Sequence, residues 1–416
     1  MKHALAPVAS LLIGVSILLT GQGLQGTLLP VRATLEGFST VSIGLMGAAY
    51  FFAFTVGCLK GGELVKRVGH VRVFLAMTAT ASAVPLVHGL VLDAWIWTLL
   101  RMLTGFCFAV LYVVIESWLN DRSTSENRGT IFSTYVMITM TVLAAGQMMM
   151  LLYDPADLQL FAIASVLVSL AALPVALSTA PSPGLPQTVK PNFRRLMKIS
   201  PGGSIACLAS GFTNGAFWAL APVFTAGLSD DLSLAPWFMT ATVIGGAVSQ
   251  WPLGFLSDRI GRRKVLIASA VAAAGVGAAI VVWGPQLSFA SICLLGAAWG
   301  AMSFPLYTLA VAHTNDYVDP REYVMVSAGL LLMYGVGAII GPFVASTAMT
   351  FAGATALFLY AAVIHGLLVL YALYRLLRRK SAPSDKHMPF GDALTSAVTA
   401  SQVYEDEMGH QGAENR

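Results

Sequence analysis

The sequence predicts an all-α membrane protein with twelve transmembrane helices in two pseudo-symmetric six-helix bundles. Three observations lead to this fold class: the composition, the length of the apolar runs and an internal repeat. Of the 416 residues, 56% are hydrophobic and only 11% are charged. A soluble fold of this composition would leave extensive apolar surface in water, so a bilayer is the solvent that suits the chain.

Twelve apolar runs are long enough to cross a bilayer, since a spanning helix needs roughly 20 mostly apolar residues. An even number of spans places both ends of the chain on one side of the membrane. The first run is too long for a signal-peptide core and lacks a clear cleavage site, so we expect it to stay as helix 1. Predicted helices 1 to 12 cover residues 8–30, 41–62, 73–92, 94–119, 129–152, 158–178, 202–225, 235–256, 265–283, 288–312, 324–348 and 354–376.

An internal repeat relates the two halves of the chain at an offset of 192 to 195 positions. The charged loop 62–72 matches loop 254–264 in its first Gly, its Leu, its Arg and its second Gly. Further matches are Leu111-Tyr112 with Leu306-Tyr307, Asn120-Asp121 with Asn315-Asp316, and Gly146 with Gly341. Parallel repeats of this kind are typical of transporters in which one bundle rocks against the other about a central site.

The positive charges predict the orientation of the helices. Apart from Arg32 and Arg101, the 24 Lys and Arg residues fall at the N-terminus, in the loops after even-numbered helices with their helix ends, or in the tail. The positive-inside rule then places both termini and these loops in the cytoplasm. We therefore expect a multi-pass protein of the plasma membrane, here the bacterial inner membrane.

The same pattern divides the chain into four parts. We assign residues 1–178 to an N-terminal six-helix bundle and residues 202–376 to a C-terminal one. Residues 179–201 are Pro-rich and then basic, which indicates a cytoplasmic linker whose latter part is either a short surface helix or a simple tether. The polar composition of residues 377–416 predicts a disordered cytoplasmic tail.

Polar side chains inside the predicted helices mark candidate cavity positions, because a polar group at that depth needs a partner or water. Gln22 and Gln25 lie on helix 1. Arg101 lies about 10 Å deep on helix 4, where an unpaired arginine costs about 2.5–3.5 kcal/mol; snorkelling to the interface is the alternative. Tyr112 and Glu116 follow on the same helical face, and Glu116 is either a surface latch or a proton-coupling site.

The second half offers comparable candidates on helices 7 and 10. The candidate cavity residues there are Asn214, Trp218, Trp299, Ser303 and Tyr307. Packing is the alternative explanation for each aromatic residue. His313, at the inner end of helix 10, is the second candidate for proton coupling, because histidine titrates near neutral pH.

Several function classes find no support in the residues. The four cysteines all fall within predicted spans, so neither a disulfide framework nor a CxxC metal site is indicated. No metal pair, nucleophile elbow or phosphate-binding loop occurs at a workable spacing, which argues against an enzyme. We expect a monomer in the lipid bilayer, with no metal, no cofactor and no nucleic-acid partner.

Two motifs resemble a known family. Residues 254–264, Gly-Phe-Leu-Ser-Asp-Arg-Ile-Gly-Arg-Arg-Lys, look like the signature loop of the major facilitator superfamily, and Arg101-Met-Leu-Thr-Gly105 resembles its helix 4 Arg-x-x-x-Gly motif. The stretches 67–72, 116–120, 303–307 and 312–316 are similar to the YcaD-like branch. The resemblance implies a twelve-helix secondary transporter with helices 1, 4, 7 and 10 around a cavity and helices 3, 6, 9 and 12 outside. On these outer helices His88 and His365 would be packed or interfacial histidines.

The resemblance also implies a cytoplasmic gate. The signature loop usually has Asp where this chain has Lys66, so we hypothesise that Lys66 pairs with Asp319 or Glu322, and that Asp258 meets Arg128 or the start of helix 5. Such pairs would close the cytoplasmic side and break when the carrier opens inward. The complete set of candidate gate residues is Lys66, Arg67, Arg128, Asp258, Arg259, Arg262, Asp319 and Glu322.

The predicted function is transport of a small organic solute by alternating access, with protons as the candidate coupling ion. Helix 1 has no carboxylate of the kind found in many drug/proton antiporters, and Arg101 is the one firmly buried charge. A neutral or anionic solute fits these residues best. The alternatives are an efflux antiporter for drugs or toxic compounds and a transporter-like membrane sensor.

Overall fold

The computed structural model describes residues 8–124, 127–177, 193–318, 323–378 and 390, and these ranges contain helices and no strands. The first six long helices are α1 (Ala9–Leu35), α2 (Thr40–Val68), α3 (His70–Leu90), α4 (Ala94–Asp121), α5 (Arg128–Met148, extended by a 3₁₀ turn, Met149–Leu152) and α6 (Gln159–Leu170, continued by Ala172–Ala176). The next six are α7 (Pro201–Ala226), α8 (Leu234–Ile260), α9 (Arg262–Trp283), α10 (Phe289–Ser303, continued by Pro305–Asn315), α11 (Tyr323–Ala352) and α12 (Ala356–Arg378).

Eleven of these segments are long and apolar enough to cross a bilayer, counting only the described residues. The twelfth, α8, has 27 residues, which at 1.5 Å per residue is also sufficient in length. It is less apolar because Ser249 and Gln250 interrupt its second half. The all-α fold with helices at the twelve predicted places is therefore confirmed, and α8 is the span that composition alone identifies least well.

Equivalent helices pack together in the two halves. In the first half α1 packs on α5, α2 on α4 and α3 on α6; in the second half α7 packs on α11, α8 on α10 and α9 on α12. A β-carbon at Gly105 of α4 would clash with the carbonyl oxygen of Tyr50 on α2. At the equivalent place, a β-carbon at Gly300 would clash with the carbonyl of Thr242 on α8. Small residues thus allow the same backbone approach in both halves.

The contact between α1 and α5 repeats in the same way. Gly146 lies against the backbone of Thr20, and Gly341 of α11 lies against the backbone of Phe212 on α7. Thr20 and Phe212 are 192 positions apart, and the two glycines are 195 apart. These are the offsets of the sequence repeat, so the repeat in the sequence is a repeat in three dimensions.

Two glycines turn the chain between the second and third helices of each half. Gly69 ends α2 with φ 93° and Gly261 ends α8 with φ 100°. L-residues with a side chain rarely adopt such angles, which explains why glycine occupies both positions. We call the end of the molecule with these two loops the basic end, and the other end of the helices the opposite end.

The hydrophobic core shows how the halves are joined. One cluster at the opposite end contains residues of both halves, including Leu28 and Met46 from the first and Phe224 and Met349 from the second. At the basic end each half has its own cluster, built on α1, α4 and α5 in the first half and on α7, α9 and α10 in the second. The conformation is therefore closed by apolar packing at the opposite end.

Some local features depart from or refine the predicted helices. Pro305, which lacks an N–H donor, divides α10 in two, whereas Pro252 lies within a continuous α8. The latter part of the predicted linker contains a short helix, Phe193–Ile199, and the rest of that linker lies outside the described residues. The two histidines of the peripheral helices, His88 and His365, are fully buried.

Candidate functional site

The central feature of the molecule is a cavity of about 360 Å³ between the two halves. Residues of α1, α2, α4 and α5 line it on one side, and residues of α7 and α11 line it on the other. This volume lies at the lower end of the range for small-molecule sites. The lining is largely aromatic and aliphatic, and most of its polar groups lie on the helices of the first half.

Gln22 of α1 connects two tyrosines of the cavity wall. Its Nε2 donates a hydrogen bond to the Tyr50 hydroxyl at 3.1 Å, and its Oε1 accepts one from the Tyr112 hydroxyl at 3.0 Å. The amide therefore has a partner at each end. These bonds align α1, α2 and α4 around the cavity.

Arg101 is held on the same wall by an aromatic contact. Its guanidinium carbon lies 4.1 Å from the centroid of the Tyr50 ring. Such a cation–π contact contributes about 0.5–2 kcal/mol, less than the cost of burying the charge alone. The close approach of α4 to α2 at Gly105 sets this geometry, because it brings the backbone of Tyr50 one helical turn below the arginine.

Gln25 lies one turn along α1 from Gln22, and its bonding differs. Its side chain is 2% exposed, and neither Oε1 nor Nε2 has a hydrogen-bond partner among the described residues. Gln25 and Arg101 both line the central cavity and also a smaller cavity of about 30 Å³, which Trp97 and Trp218 border towards the opposite end. Gln25 and Arg101 therefore border the same two cavities, and the amide of Gln25 is buried there without a hydrogen-bond partner among the described residues.

The structure divides the nine sequence-predicted cavity residues into two groups. Five of them line the central cavity: Gln22, Gln25, Arg101, Tyr112 and Trp218. The other four, Asn214, Trp299, Ser303 and Tyr307, lie outside its lining. Helix 10, which we expected to line the cavity, contributes no lining residue in this conformation.

Packing within the second half explains where these four residues lie. Trp299 is 1% exposed and stacks on Phe217 with 5.2 Å between ring centroids. The Ser303 hydroxyl donates to Asn214 Oδ1 at 3.3 Å and contacts His365 Nε2 at 3.4 Å. Packing and the two Ser303 contacts hold these side chains behind the cavity wall, although the Trp299 Nε1 and the Tyr307 hydroxyl have no hydrogen-bond partner among the described residues.

α11 forms the wall where α10 was expected. Tyr334 of α11 lines the cavity, and its ring contacts that of Tyr307 with 5.0 Å between the centroids. The sequence reasoning missed Tyr334 and also Tyr50 and Phe54 of α2. The i, i+4 spacing of Tyr50 and Phe54 was an available signal, but an aromatic pair at helical spacing is equally typical of packing.

The two proton-coupling candidates lie in different environments. Glu116 is 5% exposed on α4 and is close enough to Tyr112 and Cys58 to interact with both electrostatically. Tyr112 and Cys58 line the central cavity, whereas Glu116 is not among the lining residues. His313 instead borders a separate cavity of about 40 Å³ beside the ring of Tyr317, at 5.3 Å.

At the basic end, the predicted gate residues are arranged mainly within their own halves. Asp258 contacts Arg262 at 3.3 Å, and Arg262 also pairs with Asp316 at 2.8 Å. The Asp258 carboxylate accepts a hydrogen bond from the backbone N–H of Phe390 at 3.1 Å. The ring of Phe390 covers Gly254, so this residue packs against the loop that resembles the family signature.

The remaining gate residues form no cross-half pair that the structure describes. Lys66 and Arg67 are exposed, and the guanidinium of Arg259 lies 4.1 Å from the ring of Phe255 in its own helix. Arg128 lies 6.0 Å from the ring of Phe132 on α5. Asp319 and Glu322, the predicted partners of Lys66, lie outside the described residues, so that pairing stays a prediction.

Among the described residues, no group of three His, Cys, Asp or Glu side chains comes close enough together to hold a metal ion. The four cysteines are free thiols within helices. The polar chemistry of the cavity in the described part of the chain thus consists of one guanidinium, three amides and several hydroxyls, the third amide being that of Gln147.

Comparison with known proteins identifies the same family in the family model and in the relatives. The family model for the Major Facilitator Superfamily matches residues 11–201 and 203–404. An uncharacterised MFS-type transporter of Enterobacter sp. (strain 638) is 28% identical over 342 residues, which cover 81% of this chain and 87% of the relative. The uncharacterised MFS-type transporter YcaD of Escherichia fergusonii is 28% identical over 340 residues, with the same two coverages.

Solved structures agree on the fold. The nucleoside transporter NupG superposes with a TM-score of 0.77 at 15% identity, covering 90% of this chain and 100% of that one. A bacterial homologue of the human lysosomal transporter Spinster, in an inward-facing and occupied conformation, superposes with a TM-score of 0.65 at 14% identity, covering 96% and 99%. At these identities the likeness concerns the arrangement of the helices alone.

Proposed function

The chain belongs to the Major Facilitator Superfamily, and from this premise we propose that it moves a small organic solute across the bacterial inner membrane by alternating access, coupled to protons. The cavity between the two halves is the observation that supports this function best. It combines a volume suited to a small solute with convergent polar groups, most of them from the first half. Both termini would lie in the cytoplasm, as the positive-inside rule predicts.

The way the halves meet supports a rocking motion. At the opposite end they share an apolar core, and Thr240 of α8 donates a hydrogen bond to Gln147 of α5 at 3.2 Å. At the basic end their cores are separate. We assign residues 1–178 and 202–376 as the two moving bodies, with 179–201 as the linker and 377–416 as the cytoplasmic tail. Rocking would separate the shared core and bring the two basic-end loops together.

The proton pathway in this proposal runs through the first half. Glu116 interacts electrostatically with Tyr112 and Cys58 of the cavity wall and is not itself among the lining residues. Protonation of a buried carboxylate removes a charge that the surrounding helices must otherwise accommodate. We therefore assign Glu116 as the coupling residue, with His313 as the second candidate in a separate cavity.

Distances between spin labels test alternating access without knowledge of the solute. Ser39 and Asp231 are equivalent exposed residues just before α2 and α8 at the opposite end, and Val68 and Ile260 are equivalent exposed residues at the basic end. One label pair at each end, measured in lipid nanodiscs at pH 5 and pH 8, should report two populations. The Ser39–Asp231 distance should lengthen where the Val68–Ile260 distance shortens.

Parallel changes at the two ends would contradict rocking about a central site. A single fixed distance at both ends under all conditions would favour the transporter-like sensor instead. The control is a label pair within one half, at Val68 and Trp95, because both residues are exposed and belong to the same body. Its distance should stay constant at both pH values.

A further inference from the structure

The residues that line the central cavity carry an unbalanced charge, since the carboxylate of Glu116 lies outside the lining. Of the residues that line it in the described ranges, Arg101 is the only one with a formal charge, and no Asp or Glu is among them. Arg101 has no ion-pair partner among the described residues, and its one aromatic contact is with Tyr50. Stacking on a ring face leaves the N–H groups at the edge of a guanidinium free to bind an acceptor.

A second polar group is available next to this charge. Gln25 borders both cavities that Arg101 borders, its amide is buried, and both of its polar atoms lack partners in the described part of the chain. Gln22, one turn away, is occupied at both ends by tyrosine hydroxyls. A buried amide without a partner is costly, so the Gln25 amide is suited to bind a solute that enters this space.

The rest of the cavity is suited to an apolar body. Phe51, Phe54 and Phe108 line it from the first half, and Trp218 lines it from the second. Only one positive charge is present to balance the solute. A dianion would leave one negative charge in apolar surroundings, and a cation would be repelled by Arg101.

From this arrangement, and resting on the proposed transport function, we infer that the solute is an organic monoanion. Its carboxylate or sulfonate group is held by the guanidinium of Arg101 and the amide of Gln25, and its apolar body lies against the aromatic wall. Arginine donates two parallel hydrogen bonds to such a group, and Gln25 supplies a third donor. The negative charge of the bound anion also neutralises the buried positive charge of Arg101.

Three probes with one ring system and different charges test this inference. The purified protein in nanodiscs is titrated with 2-naphthoate, its neutral amide 2-naphthamide and the cationic 2-naphthylmethylamine, and the thermal shift gives apparent affinities. We expect 2-naphthoate to stabilise the protein and to bind at least 10-fold more tightly than the amide. 2-Naphthalenesulfonate, in a parallel titration, shows which of the two anionic groups binds more tightly.

Substitutions then locate the binding group. R101Q should weaken 2-naphthoate binding about 10- to 100-fold and remove most of the preference for 2-naphthoate over 2-naphthamide, because a hydrogen bond to a charged group is lost. R101K, which keeps the charge but not the planar fork, should lie between R101Q and the wild type. R32Q is the matched control, since Arg32 pairs with Glu36 at 2.7 Å away from the cavity. It should keep the full preference for the anion.

The inference is overturned if 2-naphthoate gives no stabilisation at millimolar concentration, if the amide or the amine binds as tightly, or if R101Q keeps the preference. Monodispersity of R101Q on size exclusion shows that the variant is folded. These outcomes can be distinguished from those that would contradict the proposed transport function. Reciprocal distance changes without a charge preference would leave transport standing and remove the monoanion, whereas an Arg101-dependent anion site in a protein whose two ends never move would do the reverse.

Discussion

The two halves of this protein share a backbone but use it differently. Gln22 and Asn214 occupy equivalent positions, 192 apart, yet Gln22 joins two tyrosines of the cavity wall, whereas Asn214 bonds to Ser303 behind that wall. Arg101 corresponds to Gly296, whose missing side chain leaves room for the ring of Phe238. The first half therefore carries the charged and amide groups, and the second half supplies mainly an apolar wall.

The basic end shows a second difference between the halves. The second half has an ion cluster in which the buried Arg262 pairs with the buried Asp316 and with the exposed Asp258. The equivalent residues of the first half are Lys66, His70 and Asp121, and there His70 Nε2 contacts the Ser117 hydroxyl at 3.0 Å instead. The two halves thus keep the same helix contacts but differ in the polar side chains at equivalent positions. Neither difference affects the glycine contacts that hold each bundle together.

The largest expected effect tests whether proton coupling belongs to the first half alone. Glu116 corresponds to Val311 in the second half. E116Q should abolish solute-driven proton movement in proteoliposomes containing a pH-sensitive dye, with a solute taken from a panel that the wild type transports. Downhill exchange of that solute should persist, since the amide keeps the size but cannot exchange a proton. H313Q is the comparison. If H313Q lost solute-driven proton movement while E116Q kept it, proton coupling would belong to the second half.

The ion cluster predicts an asymmetry in stability. D316N removes one partner of the buried Arg262 and should lower the free energy of unfolding by about 3 kcal/mol. D121N changes the equivalent carboxylate, which is 39% exposed and 3.7 Å from Arg122, and should cost less than about 1 kcal/mol. Thermal unfolding of both variants in the same detergent measures the difference, and equal losses would contradict it.

The glycine contacts should behave alike in stability but not in binding. G105A and G300A each introduce a β-carbon against a carbonyl oxygen, so both should destabilise by about 1–3 kcal/mol. Only G105A should also weaken 2-naphthoate binding, because it displaces α4 and Arg101 from Tyr50. G275A is the control, since no atom lies within 4 Å of that β-carbon position. Equal effects of G105A and G300A on binding would show that the site is shared by both halves.

The smallest expected effect concerns equivalent residues at the opposite end. Ser39 accepts a hydrogen bond from the Ser42 N–H, while Asp231 accepts one from the Ser233 N–H at 2.9 Å. Hydrogen bonds from Ser233 lower the pKa of Asp231 below its usual 3.8. A carboxylate whose pKa is lower in the folded state than in the unfolded state stabilises the fold at pH values above the unfolded pKa. This stabilisation is lost as the pH falls through the folded pKa. D231S should therefore be slightly less stable than wild type above pH 4 and equal to it at lower pH, as thermal scans across pH can measure.

Much of the fold was predictable because it depends on local or repeated features. Apolar runs predicted the helices, and the matched loops located Gly69 and Gly261 at equivalent turns. Of the cavity lining, the sequence identified Arg101, Gln22 and Gln25, because a polar side chain inside a membrane helix is costly unless it has a partner or water. Trp299 and Ser303 were misplaced, and Tyr50 was overlooked, because aromatic and hydroxyl side chains occur equally in packed cores and in cavity walls.

By itself the sequence determined the solvent, the number of helices, the duplication and the depth of the arginine. These follow from composition and spacing, which need no knowledge of neighbours. Tertiary structure alone decided which faces meet: that Tyr50 lies under Arg101, that Gln25 lacks a partner, and that α11 rather than α10 lines the cavity. In a bilayer both lipid and protein core are apolar, so periodicity cannot tell an inward face from an outward one.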